Sequence, residues 1–426
     1  MTEGLASRRA ALSALRRVDE DAAYSNLVVP EEVAVLGDQR ERAFASHLAY
    51  DALRWQGTLD WMLGQVVDRP LAKVEPELLR ILRLGALQLF RTEVPAHAAV
   101  KTAADLAREA VPGGRGRGAA GFVNGVLRGL SRQVGDLGWP DPDANLVEHL
   151  ALTTAHPAWE VAYLLDRFGP ERTTTILHAD NEPPGLTLRA VGDRAALLAE
   201  LEEEGVDAYP GAAAPEAVRV PGADPRRLAA VEQGRAVPQD EASMLVVHAT
   251  GVQHGDAALD LCAGPGGKAT HLAQLGAQVT AVELNPRRAR LVEEAAERIG
   301  VEVEVRVGDG TAPPVEGPFD VVLVDAPCTG LGTGRRRPEV RWRRTPHDAA
   351  ALSTLQRQLL AAAVPLLRPG GRLTYSVCTW TGAETIDVAR SAESARALQV
   401  EEERQLLPDT DGTDGMFYVS WRVHDA

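Results

Sequence analysis

The sequence predicts a multidomain chain: an all-α first third, a small α+β middle module and an α/β, Rossmann-like C-terminal domain. Three observations predict it. Apolar residues recur at three- and four-residue spacing up to about residue 135, and strand-like runs alternate with helical ones from about residue 239. A glycine-rich turn, Gly264-Pro265-Gly266-Gly267, joins one of those runs to a helix. The 426 residues, 45% of them hydrophobic, supply apolar material for two or three packed cores.

In the first third the spacing predicts helices over 10–18, 43–53, 78–90, 98–107 and 122–130. Pro70, Pro76, Pro95 and Pro112 punctuate them, residues 113–118 read as a flexible basic turn, and 136–145 (DLGWPDPDAN) read as a linker. Residues 145–235 mix helices over 157–168 and 194–204 with strands near 186–189 and 217–220. Beyond 236 the strands fall at 258–261, 278–283, 302–307, 319–325 and 372–377, with helices over 268–274, 286–299 and 348–367. Near-continuous apolar strands with helical crossovers imply a parallel sheet covered on both faces. The expected domains are therefore 1–137, 145–235 and 236–426, with no internal repeat.

No apolar run approaches the roughly 18 residues of a membrane span, and the first 17 residues are too charged for a signal peptide, so a cytoplasmic chain with no membrane partner is expected. The three cysteines there are reduced thiols rather than disulfide partners. Ten scattered histidines show no paired His/Cys spacing, and no metal is assigned. The net charge of −15 speaks against a general nucleic-acid coat. The charge is uneven, however: residues 1–137 hold 18 Lys+Arg against 17 Asp+Glu, so the acidic excess lies beyond. Against it, residues 335–344 (RRRPEVRWRR) hold six arginines and one glutamate. They read either as a solvated loop or as a phosphate-contacting surface carried by Arg335, Arg336, Arg337 and Arg341, with Arg115 and Arg117 as a second patch. Nearly all basic charge is arginine, which draws attention to Lys268 inside the glycine turn.

The glycine turn satisfies a loose G-x-G-x-x-A pattern (Gly264 to Ala269), and Glu283 follows Gly264 by 19 residues at the end of the next strand, where a carboxylate can accept ribose hydroxyls. Alone, this fits NAD as well as S-adenosylmethionine, or a tight turn without ligand. Asp309, after the third strand, is placed either to meet an adenine amino group or to form an Asx turn. Two cysteines, Cys328 and Cys378, follow strand-like runs and so lie at the edge of an open α/β sheet where ligands bind; Cys262 reads as a small apolar residue.

A cofactor site and two thiols on one sheet edge suit methyl transfer to a pyrimidine. C5 of cytosine is a poor nucleophile until a thiolate adds to C6, and a base must then take the C5 proton so that the thiol can leave. A free thiol of pKa ~8.5 is only a few per cent thiolate at neutral pH, so a positive neighbour such as Lys268 would help. Asp325, three residues before Cys328, is the candidate for the base edge.

The segments 260–268 (DLCAGPGGK), 325–330 (DAPCTG), the following RRxPEVRW and 375–379 (YSVCT) resemble the Sun-type (Fmu-type) bacterial 16S rRNA cytosine-C5 methyltransferases, as does the closing 414–418 (DGMFY). The resemblance covers about 236–426. Residues 1–135 are similar to NusB-like RNA-binding domains, at Ile81-Leu82-Arg83-Leu84-Gly85 and Phe122-Val123-Asn124-Gly125-Val126-Leu127. It implies a monomer acting on small-subunit ribosomal RNA with S-adenosyl-L-methionine. Cys378 would be the nucleophile and Cys328 the release residue. Cys262, Ala263, Gly264, Pro265, Gly266, Gly267, Lys268, Glu283, Asp309 and Asp325 would surround the donor, with Lys268 and Asp325 also near the base. The chain departs from that pattern in Val377-Cys378-Thr379, Gly382-Ala383-Glu384-Thr385 and Thr329. Open alternatives are a tRNA substrate, a DNA-type enzyme using Cys328 as nucleophile, a non-catalytic RNA-binding assembly factor, and an NAD-dependent oxidoreductase.

Overall fold

The structure, a computed structural model, describes residues 4–111, 113–395 and 398–423. It divides into two units, one of Met1–Glu182 with Gly334–Arg343 and one of Pro183–Thr333 with Arg344–Ala426.

In the first unit each expected helix is present and longer than its apolar centre: Leu5–Glu20, Gln39–Arg54, Pro76–Arg91, Ala96–Ala110 and Gly116–Ser131. Polar ends supply the extra length. Asp38 accepts the Arg40 and Glu41 amides at 2.8 and 3.0 Å, and Pro76 occupies a first turn that has no intrahelical amide to lose. Ser25–Val33 and Gln56–Gly64, nine residues each, are too short to announce themselves by periodicity. The core is formed by Leu15, Leu48, Leu59, Met62, Ile81, Leu82, Val123 and Leu127. A Cβ on Gly85 would overlap Leu127, so this glycine sets the close approach of helices 76–91 and 116–131.

Residues 113–118, expected as a flexible turn, instead form a 3₁₀ turn (Gly113–Arg115) and the opening of the next helix. The buried Ala119, Ala120 and Val123 pull the glycine-rich start into the helix, packing overriding propensity. Residues 136–145 lack helix and strand, but Trp139 stacks on Trp61 at 4.7 Å between ring centroids, so the stretch is packed. Leu146–Thr153 and Ala158–Asn181 complete the unit, the latter interrupted at Gly169 (φ 75°) before Pro170.

The arginine-rich segment is built into this unit. Arg341 is fully buried and donates to Asp180 Oδ2 at 2.5 Å, the Asp180 carbonyl at 2.6 Å, Asn181 Oδ1 at 2.7 Å and the Ala155 carbonyl at 3.3 Å. Burial, then the Arg341 charge, pushes neighbouring His156 down to about 4, so it is neutral against Asp180 (3.2 Å). Glu339 accepts the Ser25 amide and hydroxyl at 3.0 and 2.6 Å, and Trp342 donates its indole N–H to the Leu53 carbonyl at 2.7 Å. The expectation of Arg341 as a phosphate contact is thereby corrected: its Nη1 and Nη2 donors are spent inside the protein and the whole side chain is buried. Arg343 likewise donates to the Ala22 and Ala23 carbonyls at 3.2 and 3.0 Å.

The second unit holds two sheets. The smaller is antiparallel, ordered β2-β3-β1-β4, from β1 (Leu186–Ala190), β2 (Tyr209–Pro210), β3 (Ala217–Val220) and β4 (Ala236–Pro238). Helix Arg194–Glu203 buries Leu197 and Leu201 among Leu188, Val218 and Val220. β2 and β4, with two and three residues, were not expected; so short a strand carries no alternation.

The larger sheet has seven strands, β5 (Ala257–Asp260), β6 (Gln278–Glu283), β7 (Val303–Val307), β8 (Phe319–Asp325), β9 (Leu367–Val377), β10 (Leu398–Leu406) and β11 (Met416–Val423), ordered β10-β11-β9-β8-β5-β6-β7. β5 to β9 are parallel, whereas β11 runs antiparallel to β9 and β10. The sheet is therefore mixed, not wholly parallel as expected. β10 (LQVEEERQL) was missed because it is a mostly exposed edge strand, charged at its centre, with no apolar face to signal it. The chain leaves β5 first towards β6 and β7, then returns to β8 on its other side. That reversal opens a crevice beyond the C-terminal ends of β5 and β8. Among the described residues no helix is long and apolar enough to cross a membrane.

Replacing Arg341 with leucine strands a buried carboxylate. Arg341→Leu should destabilise the protein by about 3–5 kcal/mol in urea unfolding, the cost of breaking a buried pair from one side. A loss below ~1 kcal/mol, typical of exposed pairs, would show the pair to be solvent-accessible in solution.

Candidate active site

The loop after β5 is shaped by contacts of its backbone. Glu283, at the end of β6 and 4% exposed, accepts the Gly264 amide at 3.0 Å on one oxygen and the Asn285 amide at 2.9 Å on the other. A Cβ on Gly264 would collide with that carboxylate, and Gly266 is left-handed (φ 109°) where the helix Gly267–Gln274 begins. Each Glu283 oxygen keeps a lone pair for one further donor.

At the end of β8, Asp325 is held between two donors: Lys268 Nζ reaches Oδ2 at 2.7 Å and Ser376 Oγ reaches Oδ1 at 2.7 Å. Burial pulls the Lys268 pKa down, but Asp325 outweighs it and the net shift is upward, so the ammonium is charged. Asp260, fully buried at the end of β5, is pushed up to about 7, first by burial and then by the charge of Asp325. One of its oxygens accepts the Cys262 amide at 3.4 Å, and the other, Oδ2, has no hydrogen-bond partner among the described residues. Asp325 and Glu283 face two cations here, Lys268 at 2.7 Å from Asp325 and Arg288 at 3.7 Å from Glu283, with the half-protonated Asp260 beside them.

The two thiols meet. Cys328 Sγ and Cys378 Sγ are 3.3 Å apart. The Cys328 thiol is pushed well up, first by its hydrogen bond to Cys378, then by burial, so it holds its proton. The charge interaction with Cys378 is also among the influences that raise Lys268, after that with Asp325. Cys262 is a third, separate case: burial, then Asp260, pushes its thiol up, keeping it protonated and inert.

Other expected residues are placed as follows. Ala263 is buried behind the loop, and Pro265 and Gly267 complete it. Asp309 is exposed, and its Oδ1 accepts both the amide and the hydroxyl of Thr311 at 2.8 Å, which lowers its pKa. That is an Asx turn, one of the two readings the sequence allowed. Arg115 and Arg117 are exposed on the first unit. Arg335 donates to the Glu182 carbonyl at 3.1 Å, Arg337 lies over the Tyr24 ring at 5.2 Å, and Arg336 is half-buried.

Sequence reasoning missed Asp260 and Glu384. The first reads as an ordinary strand-end acid. The second follows Cys378 by six residues in a stretch with no charge pattern to mark it, although its carboxylate is fully buried. Glu216, His248 and His271 also meet, their ligand-type atoms within 4.8 Å. They are 32 and 23 residues apart in the chain, so spacing gave no sign. Glu216 takes His248 Nε2 at 3.0 Å, and burial pushes His271 down to about 4. With the Arg189 guanidinium buried beside them, the set neutralises itself and reads as an anchor between the two sheets rather than a cation site.

Comparison with known proteins agrees with this layout. The family description "16S rRNA methyltransferase RsmB/F" matches residues 248–422, the NusB family matches 5–132, and the ferredoxin-like domain of RsmF/B-like methyltransferases matches 156–225. The chain is 41% identical to the putative methyltransferase Rv1407 of Mycobacterium tuberculosis, covering 98% of this chain and 96% of the relative. It is 34% identical to the probable ribosomal RNA small subunit methyltransferase B of Bacillus subtilis, over 97% and 98%. It is 31% identical to ribosomal RNA small subunit methyltransferase B of Escherichia coli, over 94% and 95%. The crystal structure of PH0851 shares the fold with a TM-score of 0.86 over 99% of both chains at 24% identity.

Asp325 is one cause of the unusual Asp260 carboxyl. Asp325→Asn should therefore lower Asp260 from about 7 towards the ordinary carboxylate range, read by carbon-13 NMR of the side-chain carboxyls across a pH titration. An Asp260 that still titrates near 7 would remove Asp325 as a cause.

Proposed function

Since this chain belongs to the 16S rRNA methyltransferase RsmB/F family, we propose that it methylates C5 of a cytosine in small-subunit ribosomal RNA, with S-adenosyl-L-methionine as donor. The observation that carries the reading is the 3.3 Å pair of Cys328 and Cys378 beside the Lys268–Asp325 ion pair. An RNA-binding scaffold has no use for two thiols and a buried lysine at one sheet edge, and hydride transfer with NAD does not require them.

The residues fit the donor. When bound, it supplies an electrophilic methyl group on a sulfonium cation. The carboxylates of Asp325 and Glu283 complement that cation. Glu283 has lone pairs left for ribose hydroxyls, Gly264 to Gly267 let the backbone come close, and Asp309 borders the same loop, since Gly310 lies against the Leu261 carbonyl (a Cβ there would be 3.0 Å away).

On the base, the chemistry belongs to side chains of this chain. Cys378, as thiolate near the Lys268 ammonium, forms a bond to C6 of cytosine, and the electron pair it displaces makes C5 nucleophilic. Asp325, half-exposed, offers a carboxylate to the amino edge of the base, while Lys268 offers a proton near the ring. After C5 has gained its methyl group, the C5 proton must leave. Cys328, once its own proton has passed to water, takes up the C5 proton as a thiolate, and the C5–H electron pair forms the C5=C6 bond. The C6–S bond then breaks and the Cys378 thiolate is regenerated. Arg115, Arg117, Arg335, Arg336 and Arg337 are the proposed phosphate contacts, and the chain is proposed to act as a monomer.

The division of labour between the thiols is testable on one gel. Cys378→Ala should abolish methylation and form no adduct, while Cys328→Ala should accumulate a protein–RNA adduct that survives denaturant. The opposite pattern would exchange the two roles.

Donor binding is tested separately. Glu283→Ala should weaken S-adenosyl-L-methionine binding by roughly 1–3 kcal/mol in calorimetry, as expected for loss of a charged acceptor. Unchanged affinity would place the ribose elsewhere.

A further inference from the structure

Both neighbours of Cys328 are pinned by a buried polar cluster whose centre is Glu384. Its carboxylate, 0% exposed, takes the Thr329 amide at 2.8 Å and Gln356 Nε2 at 3.3 Å on Oε1, and the hydroxyls of Thr329 and Thr381 at 2.6 and 2.7 Å on Oε2. The Glu384 carbonyl is held in turn by the Tyr375 hydroxyl of β9 at 2.6 Å. Gln356 also donates to the Pro327 carbonyl at 2.9 Å, and the hydroxyls of Thr329 and Thr379 are 2.9 Å apart. Thr329 and Thr379 are the residues that follow the two cysteines, so the cluster ties one thiol loop to the other and both to the helix Pro346–Ala363.

A carboxylate is an expensive way to fill a core. Burying it without an ion pair is unfavourable unless donors surround it, and an apolar side chain of similar volume would serve stability as well. What it does that no apolar residue can is accept four donors from three chain segments at one point. Cys378 needs no such help, because it directly follows β9, which is paired on both edges. Cys328 lies three residues beyond β8, where no ladder holds it.

We infer that Glu384 is the positioning residue of Cys328: it holds that thiol 3.3 Å from Cys378, beside a base bonded there, and so governs the release step rather than attack on the base. This inference rests on the two-thiol chemistry proposed above. Loosening the cluster lets Cys328 drift while Cys378 still attacks. The RNA then remains bonded to Cys378 because the C5 proton leaves slowly.

The test uses full-length Glu384→Gln, and Thr329→Val as a second variant that keeps the buried carboxylate but removes one of its donors. Diamide oxidises neighbouring thiols to a disulfide, and the Cys328–Cys378 link is followed by mass spectrometry of non-reduced peptides. Both variants should form it roughly tenfold more slowly than the wild type, the factor that one hydrogen bond to a charged group accounts for. Both should also accumulate denaturant-resistant RNA adduct, with S-adenosyl-L-methionine affinity unchanged. If either variant remains folded by circular dichroism yet cross-links at the wild-type rate and gives no adduct, Glu384 is merely structural and the inference fails. Cys328→Ala is run alongside: if it too gives no adduct, the two-thiol chemistry is at fault, and the cross-linking rate alone decides the role of Glu384.

Discussion

The register between β8 and β9 is the constraint on which the rest of the site depends. Val324 pairs with Tyr375 and Asp325 with Ser376, and the Ala326 amide extends the ladder to the Ser376 carbonyl at 3.0 Å. Cys328 lies three residues beyond Asp325 and Cys378 two beyond Ser376, so this pairing brings the two thiol loops side by side, and the contacts of Glu384 and Gln356 fix the neighbours of Cys328 within its loop. Alternation secures it. Val322, Val324, Leu373, Tyr375 and Val377 face one core, while Val321 and Leu323 face the other. A slip of one residue would turn Asp325 and Ser376 to the wrong faces and bury polar groups without partners.

The second theme is charge held where water is scarce. Lys268 stays an ammonium only because Asp325 lies 2.7 Å away, and Asp325 in turn raises Asp260. Burial and the Asp325 charge together raise Asp260, while Lys268 opposes them. The same economy recurs at Glu384, where donors instead of a cation neutralise the charge.

The arginine-rich segment shows how one sequence signal can cover residues with different roles. Six arginines in ten residues look like a phosphate surface. Arg341 is instead fully enclosed with Asp180, and Arg343 caps backbone carbonyls. Arginine suits both tasks, because a planar fork of donors matches carbonyls and carboxylates as readily as phosphates.

By itself the sequence determined the three-part organisation, the helices of the first unit, the central parallel strands and the identity of the residues around the glycine loop. Those features are local: periodicity, glycine at a tight turn and acids or thiols at strand ends are written in consecutive residues. Tertiary structure alone decided the antiparallel edge of β10 and β11, the burial of Arg341, the near-neutral titration of Asp260 and the central place of Glu384. Each of these depends on which distant residues come into contact and how much water they exclude. Arg341 and Asp180 are 161 residues apart, Asp260 and Asp325 are 65, and Glu384 and Thr329 are 55. No local pattern encodes such distances, because the energy of a buried charge is set by its neighbours in space rather than by its neighbours in the chain.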